Sequence, residues 1–133
     1  MAPAGLLAGR VPDAIQEGDV MLARKTLAAL GSLDIGQAVV VQAGRVLAIE
    51  AAEGTNEMLR RSAGLVDPAG HAAVMVKVPK LGQDRKLDMP VIGITTLEEA
   101  SAAGISLIAV QAGGVLFADE QQLLVELAQS RGL

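Results

Sequence analysis

The sequence predicts an α/β fold: a layered domain with a mixed β-sheet flanked by helices, built around two similar β-hairpins. Short β-branched runs alternate along the chain with helix-like segments that end at glycine. The pattern Val-Gln-Ala-Gly-x-Val-Leu occurs twice, at residues 41–47 and 110–116. A length of 133 residues fits one domain and allows roughly two thirds of the chain's surface to be buried.

The first helix is expected over residues 13–33. Pro12 suits a first-turn position, Glu17 lies early, and Arg24 and Lys25 lie late, as the helix dipole favours. A β-branched run at residues 38–42, a tight turn at Ala43-Gly44 and a second run at residues 46–51 then predict a hairpin.

The later elements follow from the same kinds of pattern. We expect a short helix at residues 56–63 and a strand at residues 72–78. Two overlapping capping boxes, Thr95-x-x-Glu98 and Thr96-x-x-Glu99, predict a helix that runs to about Ala103.

The repeat of the hairpin pattern predicts a second hairpin at residues 108–120. Asp119-x-x-Gln122 is then expected to cap a last helix.

The composition excludes several classes of function. Phe117 is the only aromatic residue and the net charge is −4, which argues against nucleic-acid binding. The absence of cysteine excludes disulfides and Cys-based zinc sites, and His71 alone cannot build a multi-histidine metal site. His71 precedes a strand and is best interpreted as structural. The metal class that remains is a hard cation held by carboxylate and phosphate oxygens.

The chain organisation predicts a cytoplasmic protein. No apolar run approaches the roughly 20 residues of a membrane span. Residues 1–12 are interrupted by proline and glycine, which is typical of a linker remnant. We therefore expect one α/β domain over residues 13–133, with a domain that precedes it absent.

Two stretches are candidates for chemistry. Glu50 and Glu53 follow the first hairpin and precede Gly54, Thr55 and Asn56. They either favour the start of the next helix or form a polar rim at a strand end, where ligands of α/β sheets bind.

Residues 77–93 combine several cations with two aspartates, which favours either a solvated loop or a site for pyrophosphate and a divalent ion. The turn at residues 111–114 is either a plain hairpin turn or a backbone contact to a ligand. Arg60 and Arg61 are interpreted as a solvated helix face.

Three segments in this order resemble the C-terminal domain of the LpxI-type UDP-2,3-diacylglucosamine pyrophosphatases. They are Glu-Gly-Thr-Asn at residues 53–56, Lys-x-Pro-Lys-x-Gly-Gln-Asp at residues 77–84, and Gln-Ala-Gly-Gly at residues 111–114. The resemblance spans the chain from about Asp13 onward.

The resemblance implies a function in lipid A biosynthesis. The family hydrolyses UDP-2,3-diacylglucosamine to 2,3-diacylglucosamine 1-phosphate and UMP with Mg2+, and binds its ligand between two domains. A lipid-linked UDP-sugar substrate, a homodimer and at most peripheral contact with the inner membrane are implied as well. A non-catalytic binding and dimerisation domain of that enzyme is the alternative.

The resemblance also implies roles for individual residues. Asp84 is the expected catalytic residue and the expected ligand of magnesium. The expected substrate-binding residues are Lys77, Lys80, Gln83, Glu50, Glu53, Gly54, Thr55, Asn56, Gln111 and Gly113.

Overall fold

The computed structural model describes residues 2–79 and 90–133. In these ranges the chain forms four helices and six strands. In chain order they are α1 (Ala14–Gly31), β1 (Ala38–Gln42), β2 (Arg45–Ile49), α2 (Thr55–Ser62), β3 (Ala73–Lys77), β4 (Val91–Ile92), α3 (Ile94–Ala102), β5 (Ile105–Val110), β6 (Leu116–Phe117) and α4 (Gln121–Ser130). None of the helices in the described ranges is long and apolar enough to cross a membrane.

The main sheet is mixed, as the sequence predicts. Its strand order is β2-β1-β3-β5, with β1 antiparallel to both neighbours and β3 parallel to β5. Lys77 pairs with Ala38 on one side and with Val110 on the other. The C-terminal ends of β2, β3 and β5 therefore lie at the same end of the sheet.

Helices cover both faces of the sheet, which makes three layers. Strands β1 and β3 are buried along their whole length, as expected of central strands whose residues are almost all apolar. Ala23 and Leu27 of α1 pack on one face against valines of β1 and β3. Residues of α2, α3 and α4 form the larger cluster on the other face.

The prediction of a second hairpin is wrong. Strand β5 pairs with β3, and β6 pairs in parallel with β4 in a separate two-stranded ribbon. In the first copy of the repeat, Ala43 and Gly44 take positive φ angles of 47° and 80°, and the buried carboxylate of Asp19 accepts both of their N–H groups.

The second copy of the repeat has different partners. Gly113 donates its N–H to the Ala2 carbonyl at 2.8 Å, and the Ala2 N–H donates to the Val115 carbonyl at 2.9 Å. These contacts turn the chain away from β5. The two copies share the same local pattern, but only the first forms a hairpin. Its turn is held by the carboxylate of Asp19, which lies in another part of the chain.

The predicted caps of the last two helices are also wrong. Helix α3 begins at Ile94, before both threonines, and Glu120 rather than Asp119 lies at the N-cap of α4. Asp119 instead accepts the N–H of Ile94 at 3.2 Å, so it satisfies the first turn of α3 from a distant part of the chain. The one capping box that the helices of the described ranges show is that of Asp13 and Gln16 in α1.

Residues 2–13 contain no helix or strand, yet part of this segment packs on the domain. Ala2 is buried in the larger core cluster, and Gly9 lies against the backbone of Leu133. The domain boundary near residue 13 stays a prediction.

Candidate functional site

An open cleft of about 660 Å³ lies beside the end of the sheet at which β3 terminates. Its walls are the first turns of α2 and α3, the end of β3 and one side of the β4–β6 ribbon. The described residues that line it are Glu53, Gly54, Thr55, Asn56, Glu57, Arg60, Lys77, Val91, Gly93, Ile94, Thr95, Thr96, Ala118 and Asp119.

The first turns of two helices meet at this cleft. Asn56 in α2 accepts a hydrogen bond from the Thr96 hydroxyl in α3 at 3.0 Å, which joins the two helices. Both helices have glycine at the N-cap, Gly54 and Gly93, and neither glycine can cap with a side chain. The positive ends of two helix dipoles therefore face one polar space, which favours an anion.

Lys77 contributes a buried cation to the cleft. Only 6% of the residue is exposed, and its Nζ donates to the Val91 carbonyl at 2.7 Å. Burial lowers the pKa of Lys77 from its usual value, and the nearby charge of Glu50 partly opposes this shift. Because an ammonium has three donors, Lys77 can hold Val91 and still donate to a ligand.

Glu50 lies beneath the cleft rather than in its lining. It is 7% exposed, and its carboxylate accepts the Gln37 N–H at 3.1 Å and the Thr55 hydroxyl. Thr55 is the first residue of α2, so Glu50 anchors the start of that helix. Among the alternatives that the sequence leaves open, its direct contacts are those of a helix-anchoring residue.

Glu53 borders the cleft and is held by Arg61. The Arg61 guanidinium donates to Glu53 at 2.6 Å and to the Ile49 carbonyl at 2.6 Å. The hydrogen bond from Arg61 is the main reason that the pKa of Glu53 lies below its usual value. Arg61 is exposed, as its interpretation as part of a solvated helix face predicts, and it also ties α2 to the end of β2.

Arg60 makes an ion pair that the sequence alone does not predict. It lines the cleft and forms ion pairs with Glu57 in its own helix and with Glu99 in α3, the latter at 3.0 Å. Helical spacing suggests the first contact, but the second depends on how α2 and α3 pack.

The turn at residues 111–114 does not line the cleft. Gln111 is exposed, and the Gly113 N–H is used by Ala2. Gly114 packs closely on Pro79, since a Cβ at this glycine would lie 3.1 Å from the proline Cδ. The turn therefore borders the chain where it leaves β3. Lys80, Gln83 and Asp84 lie outside the described residues.

The comparison with known families identifies the family of this chain. Residues 3–133 match the family model described as the LpxI C-terminal domain. This chain belongs to the LpxI C-terminal domain family. It is also 38% identical over 127 residues to the UDP-2,3-diacylglucosamine pyrophosphatase LpxI of Caulobacter vibrioides. The match covers 92% of this chain and 45% of that relative, so the chain spans a little under half of the relative's length.

The described part of this LpxI C-terminal domain shows no metal cage built from protein side chains alone. It contains no group of three or more histidine or acidic residues placed to hold a metal ion. The carboxylates of Glu50 and Glu53 are engaged by Thr55 and Arg61. The role of Asp84 as a metal ligand stays a prediction.

Proposed function

We propose that this LpxI C-terminal domain forms the diphosphate-binding side of an enzyme that hydrolyses UDP-2,3-diacylglucosamine. The products are UMP and 2,3-diacylglucosamine 1-phosphate, within lipid A biosynthesis. Family membership supports the reaction, and the activity for which the Caulobacter relative is named supports the substrate. The observation in the structure that carries the proposal is the buried ammonium of Lys77 in a cleft framed by two helix N-termini.

Burial of the Lys77 ammonium is unfavourable unless nearby groups compensate for the loss of water. Removing an ammonium from water costs several kcal/mol even after the protein relaxes. The partners of Lys77 among the described residues are a backbone carbonyl and the neighbouring charge of Glu50, which already accepts two other hydrogen bonds. A titratable group in a cleft whose pKa is shifted by burial is a candidate for a functional site. A diphosphate would add the negative charge that this cation lacks.

The geometry supports binding and charge neutralisation. In the proposed reaction a water oxygen forms a bond to one phosphorus, the P–O bond of the anhydride breaks, and the leaving phosphate keeps the electron pair. The attacking water loses a proton to solvent or to a base. Lys77 and the first turns of α2 and α3 would offset the charge that grows on the phosphate oxygens.

Asp84 is proposed as the residue that orients the attacking water or binds magnesium, with Lys80 and Gln83 at the phosphates. Magnesium would supply positive charge at the phosphate oxygens, and every step above is assigned to residues of this chain. A second domain that closes the cleft, a homodimer, and a cytoplasmic enzyme at the inner-membrane surface belong to the same proposal.

Calorimetric titration of UDP-glucosamine into this chain tests the binding step. Lys77→Met removes the cation at similar volume, and Lys25→Met makes the same change on the exposed face of α1. Loss of one charge-assisted hydrogen bond, worth roughly 1.5–3 kcal/mol, should weaken binding by roughly 10- to 100-fold in Lys77→Met. Lys25→Met should bind as the unmodified chain does. Equal affinity in all three proteins, or no binding by the unmodified chain, would contradict the proposal and favour a purely structural domain.

A further inference from the structure

A second cavity lies on the opposite side of the β4–β6 ribbon from the polar cleft. Its volume is about 550 Å³, within the range of roughly 300–1,000 Å³ that is typical of small-molecule sites. One wall is β5, an edge strand of the main sheet as described, and the other walls are α4 and residues 3–8. We call this space the edge groove.

The edge groove is almost entirely apolar. Glu17 is the one charged side chain among the described residues that line it. Helix α4 contributes Gln121, Leu124, Val125 and Ala128, which recur at the spacing of one helix face. Leu123, on another face of the same helix, does not line the groove and is 50% exposed.

The ribbon is a shared wall between the polar cleft and the edge groove. Val91 and Gly93 line the cleft, whereas Ile92, between them, lines the groove. In the partner strand, Phe117 lines the groove, and Ala118, which follows that strand, lines the cleft. This alternation follows from the two-residue period of a strand. A polar and an apolar site are thereby separated by the thickness of one ribbon.

From these contacts we propose that the edge groove binds one fatty acyl chain of the sugar lipid whose diphosphate occupies the cleft. The inference rests on the proposed function for the identity of that lipid. A second polypeptide strand pairing with β5 is the competing occupant. Residues 3–8 already form a wall beside that edge, and Ala2 holds this segment by two backbone hydrogen bonds of 2.8 and 2.9 Å. An alkyl chain fits between the two walls without displacing this segment and requires no hydrogen bonds.

The test uses probes that carry a chain but no diphosphate. Octyl glucoside, kept below its micelle concentration, and methyl glucoside share a sugar and differ in the alkyl chain. Methyl NMR of this chain should show saturable shifts for Ile108 and Val125 with octyl glucoside and none with methyl glucoside. Val125→Trp, which fills the groove from α4, should weaken octyl glucoside binding about tenfold. Leu123→Trp, the matched change on the exposed face, should leave it unchanged.

Ala112→Trp, at an exposed position of the groove lining, provides a second blocking variant if Val125→Trp fails to fold. Octyl glucoside binding that survives every folded blocking variant, or shifts confined to residues outside the groove, overturns the inference. So does a dimer in sedimentation that dissociates in the blocking variants, because the groove would then be filled by a second copy.

Titration of the lipid and of its bare headgroup separates this inference from the proposed function. UDP-2,3-diacylglucosamine should bind more tightly than UDP-glucosamine, and Val125→Trp should remove that difference without weakening UDP-glucosamine. If octyl glucoside binds in the edge groove while UDP-glucosamine does not bind at all, the proposed function fails, but the edge groove remains a site for an alkyl chain. If the difference between the two UDP-sugars persists in Val125→Trp, the acyl chain lies elsewhere and the inference fails.

Discussion

Replacing Lys77 by methionine should separate folding from binding. The change removes a buried ammonium at little cost in volume. It loses the hydrogen bond to the Val91 carbonyl, worth roughly 1.5–3 kcal/mol for a charged donor. It also removes a desolvation cost of several kcal/mol. Glu50 keeps its bonds from Gln37 and Thr55. The two effects oppose each other, so the free energy of unfolding at neutral pH should change by no more than about 2 kcal/mol in either direction.

The pH dependence of this variant is the sharper test. Burial lowers the folded-state pKa of Lys77 below the unfolded value of 10.5. Between the lowered pKa and 10.5 the unfolded chain holds more protons, so the stability of the unmodified protein gains from rising pH in that window. This contribution, at most about 1.4 kcal/mol per pH unit, is absent in Lys77→Met.

The assay is urea unfolding followed by circular dichroism from pH 7 towards 10.5, with Lys25→Met as control. As the pH rises, the free energy of unfolding of Lys77→Met should fall relative to that of the unmodified protein, whereas the curve of Lys25→Met should run parallel to that of the unmodified protein. Parallel curves for all three proteins would refute the buried, pKa-shifted lysine.

Two further substitutions test how the site is supported. Asp19→Ala removes the carboxylate that accepts the N–H groups of the Ala43–Gly44 turn, and should destabilise the fold by roughly 2–4 kcal/mol, measured by urea unfolding; a loss below about 0.5 kcal/mol, typical of surface changes, would contradict this role. Gly93→Ala places a Cβ 3.0 Å from that of Ala118 and should weaken UDP-glucosamine binding by about tenfold, because the first turn of α3 must shift. Gly64→Ala, which adds its Cβ into open space, is the matched control, and equal affinities in the two variants would count against the shift.

Much of the fold is encoded locally. The first three helices and the first hairpin begin and end within a few residues of their predicted bounds, because apolar period, turn residues and glycine stops act over short distances. The burial of β1 also follows from its run of valines.

The errors come from contacts between distant parts of the chain. The two copies of Val-Gln-Ala-Gly-x-Val-Leu differ in outcome because Asp19 holds one turn and Ala2 bonds to the other. Asp119 resembles a local cap but serves α3. These partners are set by packing, and spacing along the chain gives no sign of them.

The candidate site shows the same division. The family resemblance implies that residues 53–56 and Lys77 share one cleft, and in the structure they line the same space. The pairing of Arg61 with Glu53 and the involvement of α3 were not predictable, because they depend on how α2 and α3 pack.

The most direct test of the central claim is the hydrolysis of UDP-2,3-diacylglucosamine by the proposed two-domain enzyme, followed by phosphorus NMR. Lys77→Met and Asp84→Asn are compared with Lys25→Met. If the cleft of this domain binds the diphosphate during hydrolysis, Lys77→Met and Asp84→Asn should lower kcat/KM for the release of UMP by roughly 100-fold. Lys25→Met should leave it unchanged. Unchanged release of UMP by Lys77→Met would contradict the account.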